Sequence, residues 1–327
     1  MKSRLLIFTY LLYLLSIGHS SFAASLMRIA YLENDIHHLA LWIAIEEKYF
    51  DSAQIGFEIA GSFRAGSEIM TAFSAKAVDL AYIGEAPVTT GVANGAAAVK
   101  IIAQVNTGGS AIVISKNRND IIKLSDLENK TIAIPGHSTV QDFLIRKAFA
   151  SINFPLSKTN IIVIKPPEMI QALRSNQIDA FIAWQPYPAQ AETTEIGKIL
   201  VTSDEIWFRH PCCVLAVDEN FLQNNKKIVA DVVRCHVKAT KFIHENPEKA
   251  IDIAVKYTGM KQETIRKALS GVNYTWELNI AGEKEYVRFL TDLQYIKPVD
   301  SEKFVKNLID PSYLVQIISE ESKNKNF

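Results

Sequence analysis

Between Leu26 and Thr193 the chain repeats one pattern, a short apolar run followed by a longer stretch with apolar residues at helical spacing. This alternation constrains the fold more than any other feature. A strand followed by a helix buries both apolar faces when the helix packs across a largely parallel sheet. The class is α/β. Met27 to Tyr31, Ile55 to Ala60, Leu80 to Ile83 and Val99 to Val105 read as strands, separated by amphipathic helices around Ala40 to Phe50, Ser67 to Ala75 and Pro87 to Asn94. A second series has strands at Ile112 to Ser115, Thr131 to Ile134, Ile161 to Ile164 and Ala180 to Ala183, with helices from Val140 to Ala150, Glu168 to Ser175 and Tyr187 to Thr193. Two series predict two lobes.

Asn106-Thr107-Gly108-Gly109-Ser110 lies between the series and suits a flexible connection. Trp207 to Cys213, followed by apolar Val214 to Val217, reads as the return crossing. Lobe 1 is therefore expected to hold residues 24–107 and 211–327, and lobe 2 residues 108–210. Farther on, Val229, Val232, Val233, His236, Val237, Thr240 and Ile243 recur at helical spacing, so helices are expected to wrap the first lobe, with a break at Asn246-Pro247. The polar end, Ser322 to Phe327, is expected to fray.

The start of the chain has the layout of a secretory signal: Lys2 and Arg4, an apolar run from Leu5 to Gly18, then Ser21-Phe22-Ala23-Ala24. Cleavage is expected after Ala23 (residues 1–23 removed), because Ser21 and Ala23 then occupy the positions that require small side chains. The run is shorter than the ~20 apolar residues of a spanning helix, and no Cys follows the cut to carry a lipid. The product is expected to be periplasmic or secreted. About 300 of the 327 residues remain, enough for two lobes.

Lysine plus arginine equals aspartate plus glutamate, 35 against 35, so global charge gives no argument for nucleic acid or an anionic membrane surface. Charge selectivity must be local. The three cysteines, Cys212, Cys213 and Cys235, are too few for a disulfide scaffold. Either Cys235 pairs with one of the other two, or all three are buried as small hydrophobes. No CxxC or HxxxH spacing is present, so neither metal nor cofactor is expected. A Cys-His nucleophile would need Cys212 or Cys213 activated by His137 or His210, and no elbow or oxyanion motif surrounds either thiol.

In open α/β sheets, ligands bind beyond the carboxyl ends of strands, where loops and helix starts converge with unpaired N–H groups. After the first strand come Asp35, His37 and His38; adjacent histidines point in different directions, and His38 is the one expected to face a ligand. Ser62 follows the second strand, beside Arg64, and Gly84 and Glu85 follow the third. Glu85 could bind an amine or simply favour a helix start. Ser110 sits at the first crossing. In the second lobe Gly136, Ser138 and Thr139 open a helix whose N–H groups suit an anion or carbonyl oxygen, with helix capping as the competing role. Trp184 and Gln185 end the last strand of the series, where an indole can close over a ligand or serve as core.

Arg28 to Leu32 through Tyr49-Phe50, Ala72 to Gly84, Lys130 to Gly136 and Ile178 to Tyr187 resemble the nitrate, sulfonate and taurine class of ABC-transporter substrate-binding proteins, part of a thiamine-pyrimidine-synthase-like superfamily, over essentially the whole mature chain. The resemblance implies a type II periplasmic-binding-protein fold, with two α/β lobes joined by two crossing segments and a cleft between them. It also implies a monomer that captures a small anionic or zwitterionic solute by lobe closure and passes it to a permease and ATPase, with no catalysis. Gln185 stands where an acid is common in the family, which leaves a neutral donor and acceptor. Carboxylate, histidine, helix-start N–H groups and indole together suit a solute of mixed polarity. The same fold carries pyrimidine-synthase and dehydratase enzymes, and a ligand sensor without a permease is a further alternative.

Overall fold

A computed structural model describes residues 26–324, so the expected export signal and the last three residues lie outside the described residues. The first sheet takes β1 (Met27–Leu32), β2 (Phe57–Phe63), β3 (Leu80–Gly84) and β4 (Val99–Gly108). The second is built from β5 (Ser110–Ser115), β6 (Thr131–Ile134), β7 (Asn160–Val163), β8 (Ala180–Trp184) and β9 (Gly197–Thr202), in the order β7-β6-β8-β5-β9. The chain then returns through β10 (Pro211–Asp218) and adds β11 (Val272–Tyr274), giving the first sheet the order β11-β4-β10-β3-β1-β2.

The strand–helix units pair in parallel: β1 with β2 and β3, and β6 with β7 and β8. Both sheets are nonetheless mixed, which the alternation alone did not predict. β10 runs antiparallel to β3 and β4, and β5 antiparallel to β8 and β9. The cause is the pair of crossings. A strand arriving from the other lobe enters its sheet at the end where the strand–helix units leave, so it runs against them. It follows that the carboxyl ends of β3 and β8 meet the entering ends of β10 and β5: Gly84 lies opposite Cys213, and Trp184 opposite Ser110. The cleft is the junction of those ends.

Helix α1 (Leu39–Glu46) was expected to be amphipathic. It is instead buried on every side, with Leu39 to Ala44 at most 1% exposed. Its outer face is covered by α2 (Lys226–Glu245) and α3 (Pro247–Thr258), and Trp42 stacks on Tyr257 of α3 with centroids 5.0 Å apart. Each such large apolar side chain contributes roughly 1.5–3 kcal/mol on full burial. The stripe Val229, Val232, Val233, Val237 and Ile243 turns inward, so the late helices wrap the first lobe as their spacing predicts. One exception is Gln262–Leu269, which packs on Tyr187–Thr193 of the second lobe. The last helix continues to Asn324, through part of the segment expected to fray.

Candidate functional site

The two lobes are in contact around the cleft. Lys165 of the second lobe donates to Glu68 of the first at 2.8 Å, and Tyr295 Oη donates to Asp142 at 2.7 Å. Phe143 of the second lobe packs edge-on against Tyr286 and Phe289, with centroids 4.4 and 4.6 Å away. At Gly84 an added Cβ would stand 3.4 Å from Val140 across the cleft, an ordinary van der Waals contact that shows how closely the lobes meet there. The remaining cavity of about 20 Å³ is bounded by Leu32, Asp35, His37, Gly84, Cys212 and Cys213 from one lobe and by Thr139, Val140, Gln141 and Trp184 from the other. That is room for about one water-sized body.

A buried cluster forms one wall. Asp35 caps the short turn Ile36–His38, accepting from the His37 backbone N–H at 3.0 Å. His37 Nε2 lies 3.0 Å from the Gly109 carbonyl, which fixes the hydrogen on Nε2 and leaves Nδ1 facing inward. Around Nδ1 stand Cys212 Sγ at 3.5 Å, Cys213 Sγ at 3.7 Å and Asp35 Oδ1 at 3.5 Å. Neighbours on a regular strand point to opposite faces. The register of β10 against β4 shifts on both sides of Cys213, and this irregularity lets both thiols reach one nitrogen.

The cluster perturbs its own ionisation. Burial pulls the His37 imidazole down, but the charges of Asp35 and Cys212 outweigh it and raise it to about 9. Burial pushes the Asp35 carboxyl up to about 7 against the pull of His37. Burial alone would raise the Cys212 thiol; its hydrogen bond with Cys213 and the charge of His37 hold it well below the ordinary thiol range. Cys213 goes the other way, raised by burial and by Cys212.

Of the residues expected at the site, Gly84, Thr139 and Trp184 line the cavity. The Trp184 indole N–H is buried and has no hydrogen-bond partner among the described residues. His38, expected to face a ligand, is turned into the first lobe, where its Nδ1 accepts from the Leu32 N–H at 3.2 Å; the turn capped by Asp35 presents His37 instead. Glu85 is buried against Gln104, which donates to it at 2.9 Å, and beside Glu283, so it does not line the cavity. The start of helix Val140–Ser151 is internally satisfied. Thr139 Oγ1 accepts from Asp142 N–H and donates to the Gly136 carbonyl, while Ser138 N–H donates to the Asp142 carboxylate at 3.0 Å. Gly136 and Ser138 do not border the cavity. Ser110 Oγ accepts from Gln141 at 2.9 Å, Gln185 Oε1 accepts from Ala189 N–H at 3.1 Å, and Ser62 is exposed on β2.

His37, Cys212 and Cys213 also border the cavity, although the sequence favours His38 over His37 and gives neither thiol a ligand spacing. The two doublets, His37-His38 and Cys212-Cys213, were visible in the sequence, but nothing in it brings segments so far apart together. All three cysteines are free and buried; Cys235 lies apart, its thiol 3.5 Å from the Tyr49 carbonyl. Nor is His137 or His210 the thiols' imidazole partner; that place is held by His37.

The model of the NMT1-like family matches residues 25–257. A putative binding protein of Brucella abortus is 26% identical over 219 residues, 66% of each chain, so the chain spans about two thirds of that relative's length. A putative aliphatic sulfonates-binding protein of Bacillus subtilis is 23% identical over 290 residues, 86% of each chain. Among solved structures, the periplasmic nitrate-binding protein NrtA of Synechocystis PCC 6803 superposes with a TM-score of 0.81 at 15% identity, over 90% of this chain and 89% of that one.

Proposed function

This chain belongs to the NMT1-like family, and from that membership and the geometry of its cleft we propose that it is the extracytoplasmic solute-binding component of an ABC-type importer. The observation that carries the proposal is the cavity itself: strand ends and helix starts of both lobes bound it, and the lobes are joined by two crossings about which they can part. A solute that touches both walls binds the closed form more tightly than the open one, and so drives closure. A permease and its ATPase then have a shape by which to tell loaded from empty.

The solute is a small polar anion or zwitterion of the nitrate, sulfonate or taurine kind, for which the lobes must part from the form described, whose cavity holds only about one water. The unpartnered Trp184 N–H and the Asp35–His37 wall suit it, and the binding proteins similar to this chain carry sulfonate and nitrate in their names. No turnover is required of any residue. Thermal shift across nitrate, alkanesulfonates, taurine, hydroxymethylpyrimidines and small carboxylates tests the proposal, because a ligand that binds only the folded state raises the midpoint by mass action. A saturable shift with one class, at one site per chain, is the expected result. No shift with any class, or turnover of one of them, would overturn it.

A further inference from the structure

The doubled thiols belong to no step of solute capture by hydrogen bonding, and the inner nitrogen of His37 faces them. We propose that His37, Cys212 and Cys213 bind one tetrahedral, thiolate-accepting metal ion of the Zn²⁺ type at the cleft wall, with the fourth position open to the cavity.

Three observations carry this. First, the spacing is that of a ligand set. With metal–sulfur bonds of about 2.3 Å and metal–nitrogen bonds of about 2.0–2.1 Å, a tetrahedral centre places sulfur about 3.6 Å from nitrogen. The two thiols lie 3.5 and 3.7 Å from His37 Nδ1, and the three ligand atoms all fall within 4.8 Å of one another. Second, the imidazole is oriented from behind. The hydrogen bond from Nε2 to the Gly109 carbonyl commits the Nδ1 lone pair to the thiol side, the arrangement by which outer-shell groups fix metal-bound histidines. Third, the strand irregularity at Cys213 brings both sulfurs to one side, an arrangement that a merely apolar role for two buried thiols does not need.

The ligand types select the ion. Two thiolates and an imidazole favour Zn²⁺ over the hard cations Mg²⁺ and Ca²⁺, which take oxygen. The open position matches sites with three protein ligands and an exchangeable fourth, and the cavity's about 20 Å³ admits a body of that size. Asp35, also bordering the cavity, stands 3.5 Å from the same nitrogen and can hold a water or an acidic group on the ion. The inference rests on the cleft being the capture site and adds an inorganic anchor to it.

The test uses the purified full chain and metal alone. Co²⁺ should give a thiolate-to-metal charge-transfer absorption and tetrahedral ligand-field bands at one equivalent, and Zn²⁺ should displace it. Competition against a chromophoric chelator should show Zn²⁺ affinity falling at least about 100-fold in Cys212→Ser/Cys213→Ser, and staying unchanged in Cys235→Ser. Should the double variant fail to fold, X-ray absorption at the zinc edge of the wild-type protein counts the sulfurs directly: two per metal supports the site, and none overturns it. Cobalt spectra without charge transfer, or Zn²⁺ affinity unaltered in a folded double variant, also overturn it. A solute-induced thermal shift in wild-type protein that binds no Zn²⁺ would remove the metal and leave solute capture standing; absence of both would remove both.

Discussion

His37 reaches into the crossing between the lobes, its Nε2 3.0 Å from the carbonyl oxygen of Gly109. The contact is close on the other side of the glycine as well, where an added Cβ would stand 2.3 Å from that nitrogen. Gly109 has φ +88°, a conformation that costs an L-residue roughly 1–2 kcal/mol. Gly109→Ala is therefore expected to destabilise the protein by more than the backbone strain alone and to weaken whatever His37 holds. Gly95→Ala is the control, with φ +70° and open space around the added methyl. Denaturant midpoints of the two variants check the prediction, which fails if they lose equal stability.

Trp184 offers a donor that no described residue takes up. If the solute accepts that N–H, Trp184→Phe keeps most of the ring's packing and removes one hydrogen bond. Such a bond to a charged acceptor contributes about 1.5–3 kcal/mol. Affinity for an anionic solute should fall roughly 10- to 100-fold, with the thermal midpoint of the solute-free protein little changed. Titration calorimetry reads the first and a melting curve the second. Unchanged affinity would assign the indole to packing alone.

The carboxyl pair Glu85 and Glu283 is wholly buried. Burial raises Glu85 from its ordinary value of 4.5 to about 7, and burial together with Glu85 raises Glu283 farther. At these two carboxyls the folded protein thus holds more protons than the unfolded chain, and the pair's contribution to stability falls as pH rises from about 4.5 through about 7. Glu283→Gln keeps a neutral donor beside Glu85 and removes the titration of Glu283 itself, so it should flatten part of the fall. Buried His38 and His236, whose protonation burial opposes, act in the reverse direction, so the wild-type minus variant difference is the quantity to read. A difference independent of pH would show that the pair does not share its proton.

The strand–helix alternation made the lobes legible, because burial of apolar runs is a local property that periodicity reports. The antiparallel entry of β5 and β10 was not legible, since it depends on where the chain crosses rather than on any run of residues. The site shows the same division. Gly84, Thr139 and Trp184 sit at strand ends and helix starts, where general rules place ligands, and they line the cavity. Adjacent histidines offered no basis for preferring His37 to His38, because that choice is made by the turn that Asp35 caps. Cys212 and Cys213 converge only through a register shift against β4, which no one-dimensional pattern encodes.

Lys165 and Glu68 join the lobes at 2.8 Å, and their bond exists only when the lobes meet. It therefore biases the equilibrium toward closure and should contribute to solute affinity without touching the solute. Both side chains are partly exposed, 30% and 40%, so water and salt screen the pair and its contribution is about 0.2–1 kcal/mol. Lys165→Met removes the bridge but leaves the hydrogen bond that Glu68 accepts from the Arg64 backbone N–H at 2.9 Å. The variant should bind solute up to about five-fold more weakly at low ionic strength, and the deficit should shrink toward zero as salt screens the wild-type pair. Small-angle scattering without solute should show a larger radius for the variant at low salt, because the open form gains population. Equal affinity and equal radius at low salt would show that closure is held by the other contacts between the lobes, Phe143 on Tyr286 and Phe289 and Tyr295 on Asp142, with no share for the ion pair.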